Sequence, residues 1–277
     1  MTGPPPRQGA LIALDLDQTL IFSARQHAGD ELDLRVVEHL DGRPAAVMTV
    51  RAWDLLVDLA REHDVVPVTT RTVEQRQRVV LPPQVRWSVC ANGGRLLCDG
   101  GPDPEWDGWA RGISSSAAPL HDAERVLAAA ADKWVRLRRQ AEGLFCYLVA
   151  HSAEQIDEGW LAGAQGWAAT HGWTVSRQGR KVYLVPAGLS KEAAVLRLQA
   201  TLGGGGPARP LLAAGDSLLD AGMLLAADAA VRPGHGELER RPETVPGVAV
   251  VAGGGPASGE AVLSWLGSSA ADLLAVR

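Results

Sequence analysis

Two aspartates that lie one residue apart directly follow a strongly apolar segment near the start of the chain. Residues 10–13 are Ala-Leu-Ile-Ala, and residues 14–20 read Leu-Asp-Leu-Asp-Gln-Thr-Leu. The apolar run predicts a strand buried in a sheet, yet it ends in two groups that are costly to bury without partners. Because side chains at positions i and i+2 of an extended segment share one side, Asp15 and Asp17 would repel each other unless a cation or a shared proton relieved them. The pair favours a metal or acid–base site, and the alternative is a turn or a helix cap.

The composition is that of an ordinary globular protein. The chain has 277 residues, 46% hydrophobic and 21% charged, which is enough for one large or two modest cores. A net charge of −5 argues against nucleic acid as the main partner, since that partner usually needs a basic face. The sequence shows neither a signal-peptide pattern nor the roughly 18 apolar residues in a row that a membrane span needs. With three cysteines that lack metal-ligand spacing, we expect a cytoplasmic protein that binds neither nucleic acid nor a membrane.

Apolar and amphipathic segments alternate along the two ends of the chain, which predicts a parallel sheet flanked by helices. Such sheets bind ligands beyond the carboxyl ends of their strands, and Asp15, Thr69 and Asn92 each follow a predicted strand end. The predicted strands are 10–13, 65–68, 85–91, 210–214, 229–231 and 248–251. The predicted helices are 49–63, 73–80, 190–202, one that ends at Leu225 and one that begins near Ser258.

Residues 94–186 interrupt this alternation with a pattern of their own. The pattern predicts a small α+β domain inserted into the sheet domain, so the sheet domain would comprise residues 1–93 and 187–277. We therefore expect an α/β protein with a parallel sheet core and an α+β insert. The elements predicted for the insert are a helix at 121–140, a strand at 144–149, a helix at 152–170 and strands at 173–176 and 182–185.

A second acidic segment and one lysine lie in the later part of the sheet domain. Residues 215–220 read Gly-Asp-Ser-Leu-Leu-Asp after a predicted strand. Ser217 and Asp220 resemble a capping box, an alternative that accounts for Asp220 better than for Asp216. Lys191 lies in the first turn of a predicted helix, where the helix dipole disfavours a cation. This position indicates an anionic partner, either a phosphate or a carboxylate, and the alternative is a solvated surface.

Taken together and in this order, these segments resemble the haloacid dehalogenase superfamily of phosphohydrolases. Residues 15–19 match its first motif, Asp-x-Asp-x-Thr, Thr69 matches the hydroxyl of the second, and Lys191 matches the third. Residues 215–220 match the fourth motif, Gly-Asp-x-x-x-Asp. The Asn-Gly pair at 92–93 is similar to the segment that leads into a large cap in the branch with Cof-type, sucrose-phosphate and mannosyl-3-phosphoglycerate phosphatases. The insert has the position and size of that cap.

The resemblance implies a Rossmann-like core that carries out the chemistry and a mobile cap that sets specificity. Asp15 would attack phosphorus and form an aspartyl-phosphate, and Asp17 would protonate the leaving alcohol and then activate water. The substrate would be a small phosphorylated metabolite, such as a phosphosugar or a phosphorylated polyol or glycerate.

The resemblance also implies roles for further residues. Thr69 and Lys191 would bind phosphoryl oxygens as part of the catalytic set. Mg²⁺ would be the cofactor, because all its ligands would be hard oxygens. The implied metal-site residues are Asp15, Asp17 through its backbone carbonyl, Asp216 and, directly or through water, Asp220. The implied substrate-binding residues are Thr70, Arg71, Asn92 and Gly93. The candidates in the insert for binding an acidic leaving group are Arg136, Arg138, Arg177 and Arg180, for which the alternative is a solvated helix face.

Two positions depart from the family pattern. Leu219 stands where this branch usually has Asn, and Thr70 stands where the second motif commonly has Gly. These departures leave the proposed nucleophile and metal ligands intact but alter the polar contacts near the phosphate. Two other functions stay open at this point: phosphoryl transfer to a second hydroxyl, as in mutases of the superfamily, and a noncatalytic member that binds a phosphorylated ligand or a partner protein.

Overall fold

The computed structural model describes residues 7, 9–27, 29, 31–204 and 208–276. The chain divides into two compact units, Met1–Asp103 with Lys191–Arg277, and Pro104–Ser190. Both boundaries lie further along the chain than the 93/94 and 186/187 divisions expected from the sequence. Within the described ranges, no helix combines the length and the apolar character that a membrane crossing would require.

Fifteen strands and nine helices occur within the described residues. The strands are β1 (Leu11–Leu14), β2 (Phe22–Ser23), β3 (Leu34–Leu40), β4 (Arg43–Thr49), β5 (Asp64–Pro67), β6 (Trp87–Cys90), β7 (Arg95–Cys98), β8 (Gly101–Pro102), β9 (Val135–Ala141), β10 (Phe145–Ala150), β11 (Trp173–Gln178), β12 (Lys181–Pro186), β13 (Leu211–Ala214), β14 (Ala229–Pro233) and β15 (Ala249–Val251). The helices are α1 (Val50–Glu62), α2 (Val73–Gln77), α3 (Pro104–Ser114), α4 (Leu120–Ala128), α5 (Glu158–His171), α6 (Lys191–Gly203), α7 (Ala221–Ala226), α8 (Glu237–Arg240) and α9 (Pro256–Ala275).

A five-stranded parallel sheet forms the centre of the first unit, with the strand order β15-β14-β13-β1-β5. Every residue of β1, β5 and β13 is buried, which explains why β1, β13 and residues 65–67 of β5 read as apolar runs. Helices α1 and α9 pack together against this sheet through Leu56, Leu59, Val262 and Leu266. The α/β, Rossmann-like fold class expected from the sequence is confirmed.

The first unit also contains a hairpin that the sequence analysis did not predict. Strands β3 and β4 pair antiparallel, and β2 adds to β4. The predicted third core strand is also placed differently, because β6 pairs antiparallel with β7 and meets the end of β5 through an isolated parallel bridge between Val68 and Val89. The hairpin β6–β7 and the short β8 keep residues up to Asp103 in the first unit, which accounts for the later boundary.

The second unit is an α+β domain with an antiparallel sheet in the order β11-β12-β10-β9. The predicted helix at 121–140 is confirmed only in its first part, because α4 ends at Ala128 and Val135–Ala141 is strand β9. Glu142 and Gly143 both adopt positive φ and turn the chain back into β10, a geometry that suits a tight hairpin. The turn at Glu142 and Gly143 therefore makes the preceding segment a hairpin strand instead of the second half of a helix.

Two arginines of the second unit that were candidates for binding a leaving group instead support its fold. Arg138 donates to the backbone carbonyls of Leu127 and Ala130 and pairs with Asp132. Arg177 pairs with Glu158 and also donates to a backbone carbonyl. Their guanidinium groups thus tie strands to neighbouring helix and loop segments.

Candidate active site

Asp15 and Asp216 lie one and two residues after the ends of two neighbouring parallel strands. Leu14 of β1 is in register with Ala214 of β13, and the amide of Asp15 donates to the Ala214 carbonyl at 2.9 Å. The carboxyl ends of parallel strands meet at one edge of a sheet, so both aspartates lie at that edge. Each is only 6% exposed. The expectation that the two acidic segments come together is therefore met.

Lys191, the first residue of α6, inserts a buried ammonium group between two carboxylates. Its side chain is 1% exposed, and Nζ donates to one oxygen of Asp15 and one oxygen of Asp220. The helix dipole disfavours a cation at this position, but two charge-assisted hydrogen bonds offset that cost. The predicted anionic partner of Lys191 is thus a pair of carboxylates.

Asp220 organises the loop between β13 and α7. Its Oδ2 accepts hydrogen bonds from the amides of Asp216 and Ser217 and from the Ser217 hydroxyl, at 3.2, 2.9 and 2.7 Å. Helix α7 begins only at Ala221, so Asp220 is not the acid of a capping box inside that helix. A Cβ atom at Gly215 would lie 2.5 Å from Asp220, which explains the glycine there. Both carboxylate oxygens of Asp220 are therefore engaged by protein groups.

The carboxylates of Asp15, Asp216 and Asp220 gather in one cluster, with an oxygen from each within 4.8 Å of the others. Burial, opposed by the charge of Lys191, raises the pKa of Asp15 to about 7. Burial and then the charges of Asp15 and Asp220 raise the pKa of Asp216 to about 9. Burial lowers the pKa of Lys191, but the two carboxylates beside it outweigh burial and raise that pKa overall. Without a further cation, the cluster retains protons at neutral pH.

The Asp216 carboxylate is the member of the cluster that suits a metal ion best. Among the described residues, no hydrogen bond or ion pair reaches this carboxylate. Gly236, at φ +87°, lies against it, and a Cβ atom there would be 2.4 Å from Oδ2. The sequence analysis did not single out Gly236, because a glycine between two strands is an ordinary loop signal. The cluster thus offers buried carboxylate oxygens, and those of Asp216 have no protein partner among the described residues. Such a donor set fits Mg²⁺.

Asp17 does not crowd Asp15 as the spacing predicted. Strand β1 ends at Leu14, before either aspartate, and Asp17 forms a single parallel bridge with Ile21. The Asp17 side chain is 53% exposed and makes a bidentate pair with Arg71, with both N···O distances 2.8 Å. The two carboxylates thus bind different cations, and the charge of Asp17 adds only a smaller contribution to the pKa of Asp15.

Arg71 donates from all three of its guanidinium nitrogens to two carboxylates and a backbone carbonyl. Besides its pair with Asp17, its Nη1 donates to Oε2 of Glu38 at 2.9 Å and to the carbonyl of Gln75 at 3.4 Å. Burial lowers the pKa of Arg71, but Asp17 and Glu38 outweigh burial and raise that pKa overall. The guanidinium of Arg71 orients Asp17, and its expected contact with substrate stays a prediction. The sequence analysis missed Glu38, whose only signal is a carboxylate inside an apolar segment.

The remaining predicted site residues lie on two neighbouring loops. Thr69 is 1% exposed, and its hydroxyl accepts from the amide of Arg71 at 3.2 Å. The amide of Asn92 donates to the Thr69 carbonyl at 3.0 Å. Asn92 and Gly93 both have positive φ, at 54° and 107°, and Thr70 is half-buried. The structure therefore brings together the loops after β5 and β6.

Comparison of the sequence with family models and with curated proteins gives no match. Similar solved structures exist, however, at low sequence identity. A sucrose-phosphatase from Synechocystis, solved with sucrose and phosphate, is 15% identical, with a TM-score of 0.66 over 95% of this chain and 98% of that chain. A sugar phosphatase of haloacid dehalogenase subclass IIB is 13% identical, with a TM-score of 0.60 over 94% and 98%. A haloacid dehalogenase-like hydrolase from B. subtilis is 18% identical, with a TM-score of 0.57 over 93% and 99%. These likenesses confirm the resemblance at the level of the fold: the chain has the fold of the haloacid dehalogenase superfamily phosphatases.

Proposed function

We propose that this protein is a Mg²⁺-dependent phosphomonoester hydrolase that acts on a small phosphorylated metabolite. The buried cluster of Asp15, Asp216 and Asp220 around Lys191 carries the proposal. Three carboxylates and a lysine at the carboxyl edge of a parallel sheet are expensive to bury, and a phosphoryl-transfer site uses all of them. The shared fold of the sugar phosphatases supports the same reaction class.

The residues present can hold the ion. The carboxylates of Asp15 and Asp216 and the backbone carbonyl of Asp17 would be its direct protein ligands, all of them hard oxygens. Both oxygens of Asp220 are already engaged, so we assign Asp220 the role of holding Lys191 and the loop of Asp216. When bound, Mg²⁺ would supply neutralisation of the charge on the phosphoryl oxygens.

The proposed reaction proceeds in two displacements. A carboxylate oxygen of Asp15 attacks phosphorus, the bond to the substrate oxygen breaks, and Asp17 gives its proton to the leaving alcohol. Asp17 then takes a proton from a water molecule that attacks the aspartyl-phosphate, which releases inorganic phosphate and restores Asp15. The Lys191 ammonium and the Thr69 hydroxyl would donate to phosphoryl oxygens, and positioning of this kind supplies most of the catalysis in phosphoryl transfer.

The test is release of inorganic phosphate from a panel of phosphorylated sugars, polyols and glycerates. Asp15→Asn keeps the side-chain shape but removes the attacking charge, so phosphate release should fall to background. The exposed Asp58→Asn, which changes a surface carboxylate, serves as the control and should retain full activity. Beryllium fluoride with Mg²⁺ should form an adduct on Asp15 in the wild type. Substantial phosphate release by Asp15→Asn would refute the covalent route, and phosphate transfer to a second alcohol without release would favour a phosphotransferase.

A further inference from the structure

Glu38 is a buried carboxylate on β3, a hairpin strand in which four of the seven residues are exposed. Residues Val36 and His39 on either side are exposed, whereas Val37 and Glu38 are consecutive and both buried. The register between β3 and β4 shifts at this point, since Val36 pairs with Val47 and Glu38 pairs with Ala46. A β-bulge of this kind redirects side chains and is frequent beside active sites. The bulge explains how an alternating strand buries a carboxylate.

The buried carboxylate of Glu38 binds two arginines. Its Oε2 accepts from Nη1 of Arg71 at 2.9 Å, and its Oε1 accepts from Nε of Arg78 at 3.3 Å. Glu38 is 5% exposed, so the contact with Arg71 is shielded from solvent. Arg71 in turn presents Nε and Nη2 to Asp17. A continuous chain of charge-assisted hydrogen bonds thus runs from the hairpin to Asp17.

The orientation of the Asp17 carboxylate depends on these charge-assisted hydrogen bonds more than on packing. The Asp17 side chain is half exposed, whereas the side chain of Arg71 is only 15% exposed. A planar guanidinium that is held along one edge presents its other edge in a defined direction, which a flexible surface arginine would not do. Glu38 accepts the shorter of the two hydrogen bonds from Nη1 of Arg71, at 2.9 Å against 3.4 Å for the Gln75 carbonyl, so it is the main group that fixes the plane in which Asp17 is bound.

We propose that Glu38 is a positioning residue, which acts through Arg71 to hold the Asp17 carboxylate where it exchanges protons with the leaving group. This inference rests on the proposed hydrolase function and extends it to a residue of the β3–β4 hairpin. In this proposal Glu38 acts through Arg71 and not by contact with the substrate. Its loss should therefore affect the proton transfer that Asp17 carries out rather than the attack by Asp15.

The test compares kcat/KM for two phosphate esters, because this constant reports transfer to Asp15 and leaving-group departure before water attacks. An alkyl phosphate needs protonation of its leaving oxygen, whereas p-nitrophenyl phosphate does not. Glu38→Asp keeps the negative charge but withdraws the carboxylate by one methylene, and Glu38→Gln keeps the shape but removes the charge. Since general acid catalysis contributes about 10²–10⁴-fold, each variant should lower kcat/KM for the alkyl phosphate by about 10- to 100-fold and for the aryl phosphate by less than about 3-fold.

Glu74→Gln is the matched control, because Glu74 also pairs with Arg78 but is 88% exposed and does not touch Arg71. It should leave both constants unchanged. Arg71→Lys should show the same selective loss, and the double variant with Glu38→Gln should lose little more than Arg71→Lys alone, as for residues that act in series. A thermal melt of each variant measures folding. If Glu38→Gln does not fold, Glu38→Asp carries the test, because it keeps the negative charge beside Arg71 and Arg78 while withdrawing the carboxylate.

Equal losses of kcat/KM on the two esters would assign Glu38 a merely structural role and overturn the inference. Unchanged kcat/KM in Glu38→Asp and Glu38→Gln would overturn it as well. Failure of the wild type to release phosphate from either ester would instead refute the proposed function, so the two failures are distinguishable.

Discussion

Replacing Asp216 by Asn should stabilise the metal-free protein at neutral and alkaline pH, although it should destroy the proposed metal site. Asp216 is buried, and burial together with Asp15 and Asp220 raises its pKa from 3.8 to about 9. In a chelator, the folded chain holds a proton on Asp216 that the unfolded chain releases above about pH 4. The unfolded state thus binds fewer protons over this range, and the free energy of unfolding falls as the pH rises from about 4 to about 9.

The size of the effect follows from proton linkage. One proton contributes about 1.36 kcal/mol per pH unit, so raising the pH from about 5 to about 8 should cost the wild type about 4 kcal/mol through Asp216. Because 1 kcal/mol shifts the melting temperature of a domain of this size by about 2–4 °C, the loss corresponds to about 8–16 °C. Asp216→Asn removes this titration, and Asp15, whose pKa is about 7, contributes in the same direction in both proteins.

Thermal melting of the two proteins in chelator, at about pH 5 and about pH 8, measures the difference. The wild type should lose more stability than Asp216→Asn as the pH rises, and the variant should melt higher at the upper pH. Added Mg²⁺ should raise the melting temperature of the wild type much more than that of the variant, and the variant should be inactive. Asp58→Asn, a surface carboxylate, should behave like the wild type. A variant that melts lower than the wild type in chelator at about pH 8 would refute the reasoning.

Two further predictions concern the surroundings of the cluster. Gly236→Ala would place a Cβ atom 2.4 Å from an oxygen of Asp216 and should lower both the melting temperature and phosphate release. The control is Gly247→Ala, where φ is similarly positive but no atom lies within 4 Å of the added Cβ. This variant should lose only about 1–2 kcal/mol of stability, from backbone strain. Leu219→Asn should raise or leave unchanged the rate of hydrolysis of a generic aryl phosphate, because Asn supplies a polar group beside two acids. If Thr70 supplies the polar contact that Leu219 cannot make, Thr70→Gly should lower that rate. A loss of more than about tenfold in folded Leu219→Asn, where one hydrogen bond to a charged group is worth about 1.5–3 kcal/mol, would contradict that explanation.

The parallel core and the positions of its acidic residues could be predicted from the sequence because both follow from local patterns. Buried parallel strands read as short apolar runs, and β1, β5 and β13 are buried throughout. Since parallel strands end at the same edge of a sheet, residues far apart in the chain, such as Asp15 and Asp216, could be placed in one site. The position of Lys191 at an unfavourable helix end also indicated a nearby anion correctly.

Elements that depend on a turn or on irregular pairing were not predictable in this way. The apolar residues between 121 and 140 fit a helix, but the turn at Glu142 and Gly143 makes Val135–Ala141 a strand. The β3–β4 hairpin escaped notice because its bulge at Val37 and Glu38 breaks the period of two on which strand prediction depends.

The sequence by itself determined which residue types stand at the strand ends, because that information lies in short apolar runs and in the groups that follow them. The tertiary structure alone decided which partner each charge takes. Asp17 pairs with Arg71 rather than facing Asp15, and Arg71 pairs with Glu38 across 33 residues of sequence. A charge finds its partner through the folded distance and the local burial, since electrostatic energy depends on both and neither is encoded in spacing along the chain.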